Sequence, residues 1–181
     1  MTDAIADLRS AAARPPRRIV VMGVCGCGKS TVGRALAAAL QLPYVEGDEL
    51  HPPRNVKRMA AGTPLTDDDR QGWLQAVAGV LARAAGRGVV VSCSALKRSY
   101  RDLLRSAAAD LAFVHLSGSP ALLAQRLHQR SGHYMPPALL PSQLAILEPP
   151  GGDERAITLD IAAEPDALVA SACLQLETAF P

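Results

Sequence analysis

Short apolar runs alternate along this chain with longer stretches in which apolar residues recur every three or four positions. Ile19-Val20-Val21-Met22 predicts a strand over residues 18–22. Residues 29–40 carry Val32, Leu36 and Leu40 at helical spacing, and 43–46 predict a short second strand that runs into Gly47-Asp48. The polar, basic stretch 49–62 predicts a short helix beginning after Pro52-Pro53. Thr66-Asp67-Asp68-Asp69 has the composition of a helix start: Thr66 caps, and the carboxylates sit where the helix dipole favours negative charge. Trp73, Val77, Val80 and Leu81 mark one buried face of that helix, and Gly86 and Gly88 bracket its end. The run Val89-Val90-Val91-Ser92-Cys93 predicts a central strand covered on both faces. A helix over 97–108, a strand over 111–116 and a helix over 121–131 follow. Pro136, Pro137, Pro141, Pro149 and Pro150 punctuate residues 132–150, so this stretch is expected to be a mobile excursion rather than core. A strand over 157–161 and a helix over 167–178 close the pattern.

This alternation predicts an α/β fold, a doubly wound sheet of roughly five parallel strands with helices between them. Ligands in such sheets bind at the carboxyl ends of the strands. The segments after Glu46, Cys93 and Leu116 should therefore converge on one cleft.

Composition narrows the class. Hydrophobic residues make up 49% and charged residues 20%, as in a globular protein. Aromatics are 3%, so the core must be built from Ala, Leu and Val. A net charge of +2 gives no argument for nucleic acid, and no apolar run approaches the ~18 residues of a membrane span. Residues 1–17, rich in Ala and Arg but holding Asp3 and Asp7, read as a flexible tail without the apolar run of a secretory leader, and 18–181 as a single domain. Cys25, Cys27, Cys93 and Cys173 do not have zinc-site spacing, so reduced thiols in a cytoplasmic protein are expected.

The chemistry centres on Gly23-Val24-Cys25-Gly26-Cys27-Gly28-Lys29-Ser30, followed by Thr31. It fits G-x-x-x-x-G-K-[ST] and lies between the first strand and the first helix, the setting in which that pattern binds phosphate. Glycines let several N–H groups point at one anion, and the helix N-terminus adds partial positive charge. Lys29 is expected to reach the β- and γ-phosphates of a nucleoside triphosphate and the Ser30 hydroxyl to hold Mg²⁺.

Asp48, at the end of the second strand, is the candidate carboxylate beside the γ-phosphate, either orienting an acceptor hydroxyl or helping to hold Mg²⁺. His51, Arg54, Lys57 and Arg58 crowd the next segment, which suits a small anionic substrate as well as a solvated basic face. Lys97, Arg98 and Arg101 follow the third strand in the same way. Arg126 and Arg130 share a helix face at i, i+4 and precede the proline-rich stretch, the arrangement of a lid that clamps a triphosphate. His133 lies in that stretch. No strand ends in the apolar run plus Asp of motor ATPases, and no N-K-x-D string is present. A small-molecule kinase is favoured over a motor or a GTP switch.

Joined together, these segments resemble the gluconokinase family. The strings that carry the resemblance are Gly47-Asp48-Glu49-Leu50-His51-Pro52, Asn55-Val56-Lys57-Arg58-Met59 and Gly62-Thr63-Pro64-Leu65-Thr66-Asp67-Asp68-Asp69-Arg70 with Trp73-Leu74. Cys93-Ser94-Ala95-Leu96-Lys97, Tyr100-Arg101-Asp102-Leu103-Leu104-Arg105, Arg130 with Gly132-His133, and Glu148-Pro149 add to them. The resemblance implies ATP- and Mg²⁺-dependent phosphorylation of D-gluconate at its terminal hydroxyl, giving 6-phosphogluconate for the pentose phosphate and Entner–Doudoroff routes. The alternative is a kinase of the same fold acting on another sugar acid or polyol.

The resemblance further implies a fold like that of nucleoside monophosphate and shikimate kinases, with a substrate segment at about 48–70 and a lid at about 126–150, often assembled as a homodimer. Carried over to this chain, residues 23–31 hold phosphate and Asp48 lies by the acceptor hydroxyl. His51, Arg54, Lys97, Arg101 and His133 fall in the substrate region, and Arg126 and Arg130 in the lid region. One departure is plain: the family usually has serines where this chain has Cys25 and Cys27. Thiols beside Lys29 and a helix N-terminus are expected to have lowered pKa values and to be shielded from alkylation by ATP.

Overall fold

The computed structural model describes residues 17–129 and 137–180. Five strands form one parallel sheet in the order β2-β3-β1-β4-β5. They are β1 (Arg18–Met22), β2 (Tyr44–Glu46), β3 (Val89–Ser92), β4 (Ala112–Ser117) and β5 (Ala156–Asp160). The connecting helices are α1 (Lys29–Ala39), α2 (Pro53–Ala60), α3 (Asp67–Arg83), α4 (Arg98–Ala107), α5 (Pro120–Gln129), α6 (Leu140–Ile146) and α7 (Pro165–Ala179).

The apolar runs take the centre because both of their faces find cover. In β1, Ile19 and Val21 point to the side packed by α1, α5 and α7, with Leu36, Leu123 and Leu168. Val20 and Met22 point to the other side, where Trp73, Leu74, Val77 and Leu81 of α3 and Leu104 of α4 pack. Alternation of side chains across a strand splits one run between two cores. Each apolar side chain so buried contributes roughly 1.5–3 kcal/mol relative to an exposed one.

The start of α3 behaves as its composition predicts. Thr66 Oγ1 accepts from Asp69 N at 3.2 Å, and the Asp69 carboxylate accepts from Thr66 N at 2.9 Å, a reciprocal capping box. The proline-punctuated stretch departs from expectation. Pro141 opens α6 instead of breaking a helix, because a first-turn residue has no carbonyl to bond. Leu140 is buried in the core, and the Glu148 N–H donates to Leu96 O at 2.8 Å. Leu144, Ile146 and Leu147 pack against the same core as Leu140, so α6 is part of the fold and not an excursion.

Candidate active site

The loop from Gly23 to Gly28 joins the carboxyl end of the central strand to α1. Gly28, at φ 95°, forms the N-cap of α1, and no side chain caps that end. The first-turn N–H groups are therefore offered to an anion. Lys29, the first helical residue, folds back so that Nζ donates to Val24 O at 3.0 Å. Burial works to lower its pKa, but nearby Cys27, Asp48, Cys25 and Glu46 outweigh it and hold the ammonium above its ordinary value. Cys25 and Cys27 are buried. The Cys25 N–H donates to Gln143 Oε1 of α6 at 2.7 Å. Ser30 is half-buried and Thr31 exposed on α1.

The end of β2 meets this loop. A Cβ on Gly47 would collide with the carbonyl oxygen of Ser92, so only glycine lets the turn after β2 lie against β3. Trp73 Nε1 donates to Gly47 O at 2.7 Å and fixes the turn from the other side. Asp48 follows, close enough to Lys29 to raise its pKa.

Glu46 precedes the glycine, and sequence reasoning missed it. Its carboxylate accepts from Tyr44 Oη at 2.8 Å, from Ser92 Oγ and from the Ser30 hydroxyl. Burial alone would raise the Glu46 pKa; the Ser30, Ser92 and Tyr44 hydroxyls overcome it and keep the group an anion. Between these carboxylates, burial pushes the Cys93 thiol up to about 12.

His51 ends the turn. Its ring stacks on Trp73, with centroids 4.2 Å apart and planes 13° from parallel. Burial, then the charge of Arg70, lowers its pKa to about 4, so it is neutral at physiological pH. Asn55, fully buried, donates from Nδ2 to Asp69 O at 2.7 Å and faces His51 Nδ1 at 3.4 Å. Its Oδ1 has no partner among the described residues, a cost of about 1–3 kcal/mol.

Arg54 is exposed on α2, and Lys97 Nζ is held by both oxygens of Asp67, at 2.8 and 2.7 Å. Arg70, near enough to His51 to depress its pKa, is a second residue that sequence reasoning left out of the site. Met59, Leu65 and Leu139 form a small apolar cluster that ties the approach to α6 to the segment around α2.

Arg101 requires a correction. It was expected among the substrate contacts, but its side chain is 1% exposed and its guanidinium is fully engaged. Nε and Nη2 donate to Glu154 at 2.6 and 2.8 Å, while Nη1 reaches the carbonyls of Ala95, Leu96 and Glu148. Ala95 is buried at φ 43°, a backbone conformation that is costly for a residue with a Cβ. Arg101 holds that loop in place, and the loop in turn bonds the phosphate loop through Gly23 N to Ser94 O at 3.3 Å. Arg126 Nη2 donates to Ile161 O at 2.7 Å, which ties α5 to the end of β5. Arg130 and His133 lie outside the described residues.

The donor set fits a hard cation. Ser30, Glu46 and Asp48 offer only oxygen, the preference of Mg²⁺. Among the described residues no cluster of His, Cys, Asp or Glu could hold a metal alone, so the triphosphate would complete the coordination.

Comparison with known proteins gives the family. The model of the shikimate kinase family matches residues 25–142. The gluconokinase of Gluconobacter oxydans is 51% identical over 156 residues, covering 85% of this chain and 88% of that protein. The chain belongs to the gluconokinase family. A gluconokinase from Sinorhizobium meliloti has the same fold at TM-score 0.84 and 52% identity, covering 92% of this chain and 95% of that one. Shikimate kinase from Aquifex aeolicus, at 18% identity and TM-score 0.59 over 90% of this chain and 97% of that one, shares the fold alone. Membership accounts for a P-loop kinase with a five-stranded parallel sheet and for an enzyme of phosphoryl transfer.

Proposed function

We propose that this protein transfers the γ-phosphoryl group of ATP to the terminal hydroxyl of D-gluconate, giving 6-phospho-D-gluconate and ADP. The observation that carries the reading is the placement of Asp48 beside Lys29 by a turn that only glycine allows. An acceptor hydroxyl held by Asp48 lies next to the lysine that reaches the transferring phosphate. Residues 23–31 hold the triphosphate through backbone N–H groups and Lys29. Ser30, with Glu46 and Asp48, would hold Mg²⁺, which when bound neutralises charge on the β- and γ-phosphates. Asp48 orients the hydroxyl and accepts its proton as the O–P bond forms, and the electrons of the broken bond leave with ADP.

His51, Arg54, Lys97 and His133 serve the substrate. Arg126 and Arg130 serve the lid at about 126–150; for Arg126 this requires the guanidinium to share or exchange the Ile161 carbonyl. The enzyme acts in the cytoplasm as a homodimer and supplies the pentose phosphate pathway. No helix among the described residues is long and apolar enough to cross a membrane.

The test is ADP release from ATP with a panel of aldonic acids and polyols. D-Gluconate should give the highest kcat/KM, and Lys29→Ala should abolish turnover. A tenfold preference for another acid would overturn the choice of substrate, and wild-type turnover by Lys29→Ala would overturn the site.

A further inference from the structure

Which nitrogen of His51 carries the proton can be read from its neighbours. Asn55 is fully buried and its amide has one allowed orientation. Nδ2 donates to the carbonyl of Asp69 at 2.7 Å; rotated by half a turn, Oδ1 would face that carbonyl oxygen instead, two acceptors with no hydrogen between them. With the amide so fixed, its second N–H points at His51 Nδ1, 3.4 Å away. A proton on Nδ1 would place donor against donor. Nδ1 is therefore the acceptor, and Nε2 holds the hydrogen. Both contacts of the Asn55 amide are made by its donors, and Oδ1 has no partner among the described residues.

The rest of the environment keeps the ring in place. One face lies on Trp73, whose own N–H is taken by Gly47 O. That carbonyl belongs to the residue before Asp48, so the same contact sets the turn that presents the acceptor carboxylate and the plane of the imidazole. With Nδ1 facing Asn55 and one face on Trp73, the neutral ring has Nε2–H as its remaining polar group.

We propose that His51 is a neutral Nε2–H donor to an uncharged hydroxyl oxygen of the acceptor substrate, and that Asn55 is the positioning residue that holds it in this tautomer. This rests on the reading of the site as one for a polyhydroxy acid. A neutral N–H edge suits a hydroxyl, while the substrate carboxylate is left to the cations nearby. His51 thus selects acceptors by a hydroxyl at one position of the carbon chain and takes no part in proton removal.

The experiment has two arms on the full chain. Long-range ¹⁵N–¹H spectra of the wild-type protein, without substrate, should show His51 with Nε2 protonated and Nδ1 bare. Asn55→Leu, which keeps the volume and loses the donors, should give a mixture of tautomers. Either protonated Nδ1 or an imidazolium in the wild type overturns the proposal. In the kinetic arm, His51→Phe keeps the stack and loses the donor. It should raise KM for the acceptor by about tenfold, the value of one hydrogen bond to substrate, and leave the Kd of ATP unchanged. An unchanged acceptor KM overturns the donor role. If Asn55→Leu does not fold, the wild-type spectrum and His51→Phe still decide. The spectrum needs no substrate, so a chain that prefers another acid fails the gluconate reading alone, and KM is then measured with that acid.

Discussion

Gln143 Oε1 accepts the backbone N–H of Cys25 at 2.7 Å, so a side chain of α6 holds the phosphate loop. A glutamine oxygen placed on a loop amide fixes where its neighbouring amides point. Gln143→Ala should weaken ATP binding by about three- to tenfold, the range of a single hydrogen bond, with a smaller effect on acceptor KM. Calorimetric titration with a nonhydrolysable ATP analogue checks this, and an unchanged Kd would show that the loop holds its shape alone.

Glu46 sits between the Ser30 and Ser92 hydroxyls and stays ionised. Removing its charge should loosen Ser30 and the metal together. Glu46→Gln is expected to raise the Mg²⁺ concentration for half-maximal activity by about 10- to 100-fold, the usual cost of losing a group that orients a metal ligand. Activity measured against Mg²⁺ at saturating ATP reads this out. An unaltered Mg²⁺ curve would make Glu46 a purely structural anion.

The Arg101–Glu154 pair should govern acid stability. Burial would raise the Glu154 pKa, but bonds from Arg101 and the Gly151 N–H, with Arg98 nearby, hold it below its ordinary 4.5. A carboxylate whose folded pKa is depressed stabilises the fold fully above its unfolded pKa. That stabilisation is lost as pH falls below about 4.5 through the lower folded value. Glu154→Gln leaves a buried guanidinium without a counter-charge and should cost about 3–5 kcal/mol at neutral pH. Urea denaturation at pH 7 and pH 4 tests both: the difference between variant and wild type should shrink at the lower pH.

The thiols of the phosphate loop should be slow to react. Cys25 and Cys27 are 6% and 0% exposed, and Cys93 is buried, whereas Cys173 on α7 is partly exposed. Iodoacetamide should therefore label Cys173 first, with little loss of turnover, even though burial raises the pKa of that thiol too. Peptide mapping at one equivalent bound decides it. Early label on Cys25 or Cys27, suppressed by ATP, would favour the expectation drawn from their place beside Lys29.

How far the sequence could be read depended on the range of the forces involved. Periodicity placed every strand of the sheet, because burying a face is a local property of the run. Thr66 and Asp69 could be read as a cap because the partners lie three residues apart. Arg101 could not, since Glu154 is 53 residues away and an ion pair at that distance leaves no local pattern. Pro141 concealed α6, because a proline in the first turn looks like one that ends a helix. Glu46 stood in no motif spacing; its role comes from Ser92, brought to it by the parallel pairing of β2 with β3, and from Ser30 at the start of α1, far away in sequence. Asn55 was one polar residue among several until burial singled it out.

The strand order also sets when this molecule can first hold its ligand. The phosphate loop follows β1, yet that strand lies between β3 and β4, which are made later. A Cβ on Gly23 would lie 2.6 Å from the Leu116 carbonyl oxygen, so closely does the loop approach the end of β4, and Arg101 waits for a partner later still, at Glu154. A nascent chain therefore carries this loop without its neighbours until β3, β4 and Glu154 have been made. Nucleotide can reward folding only once β4, β5 and Glu154 have left the ribosomal tunnel.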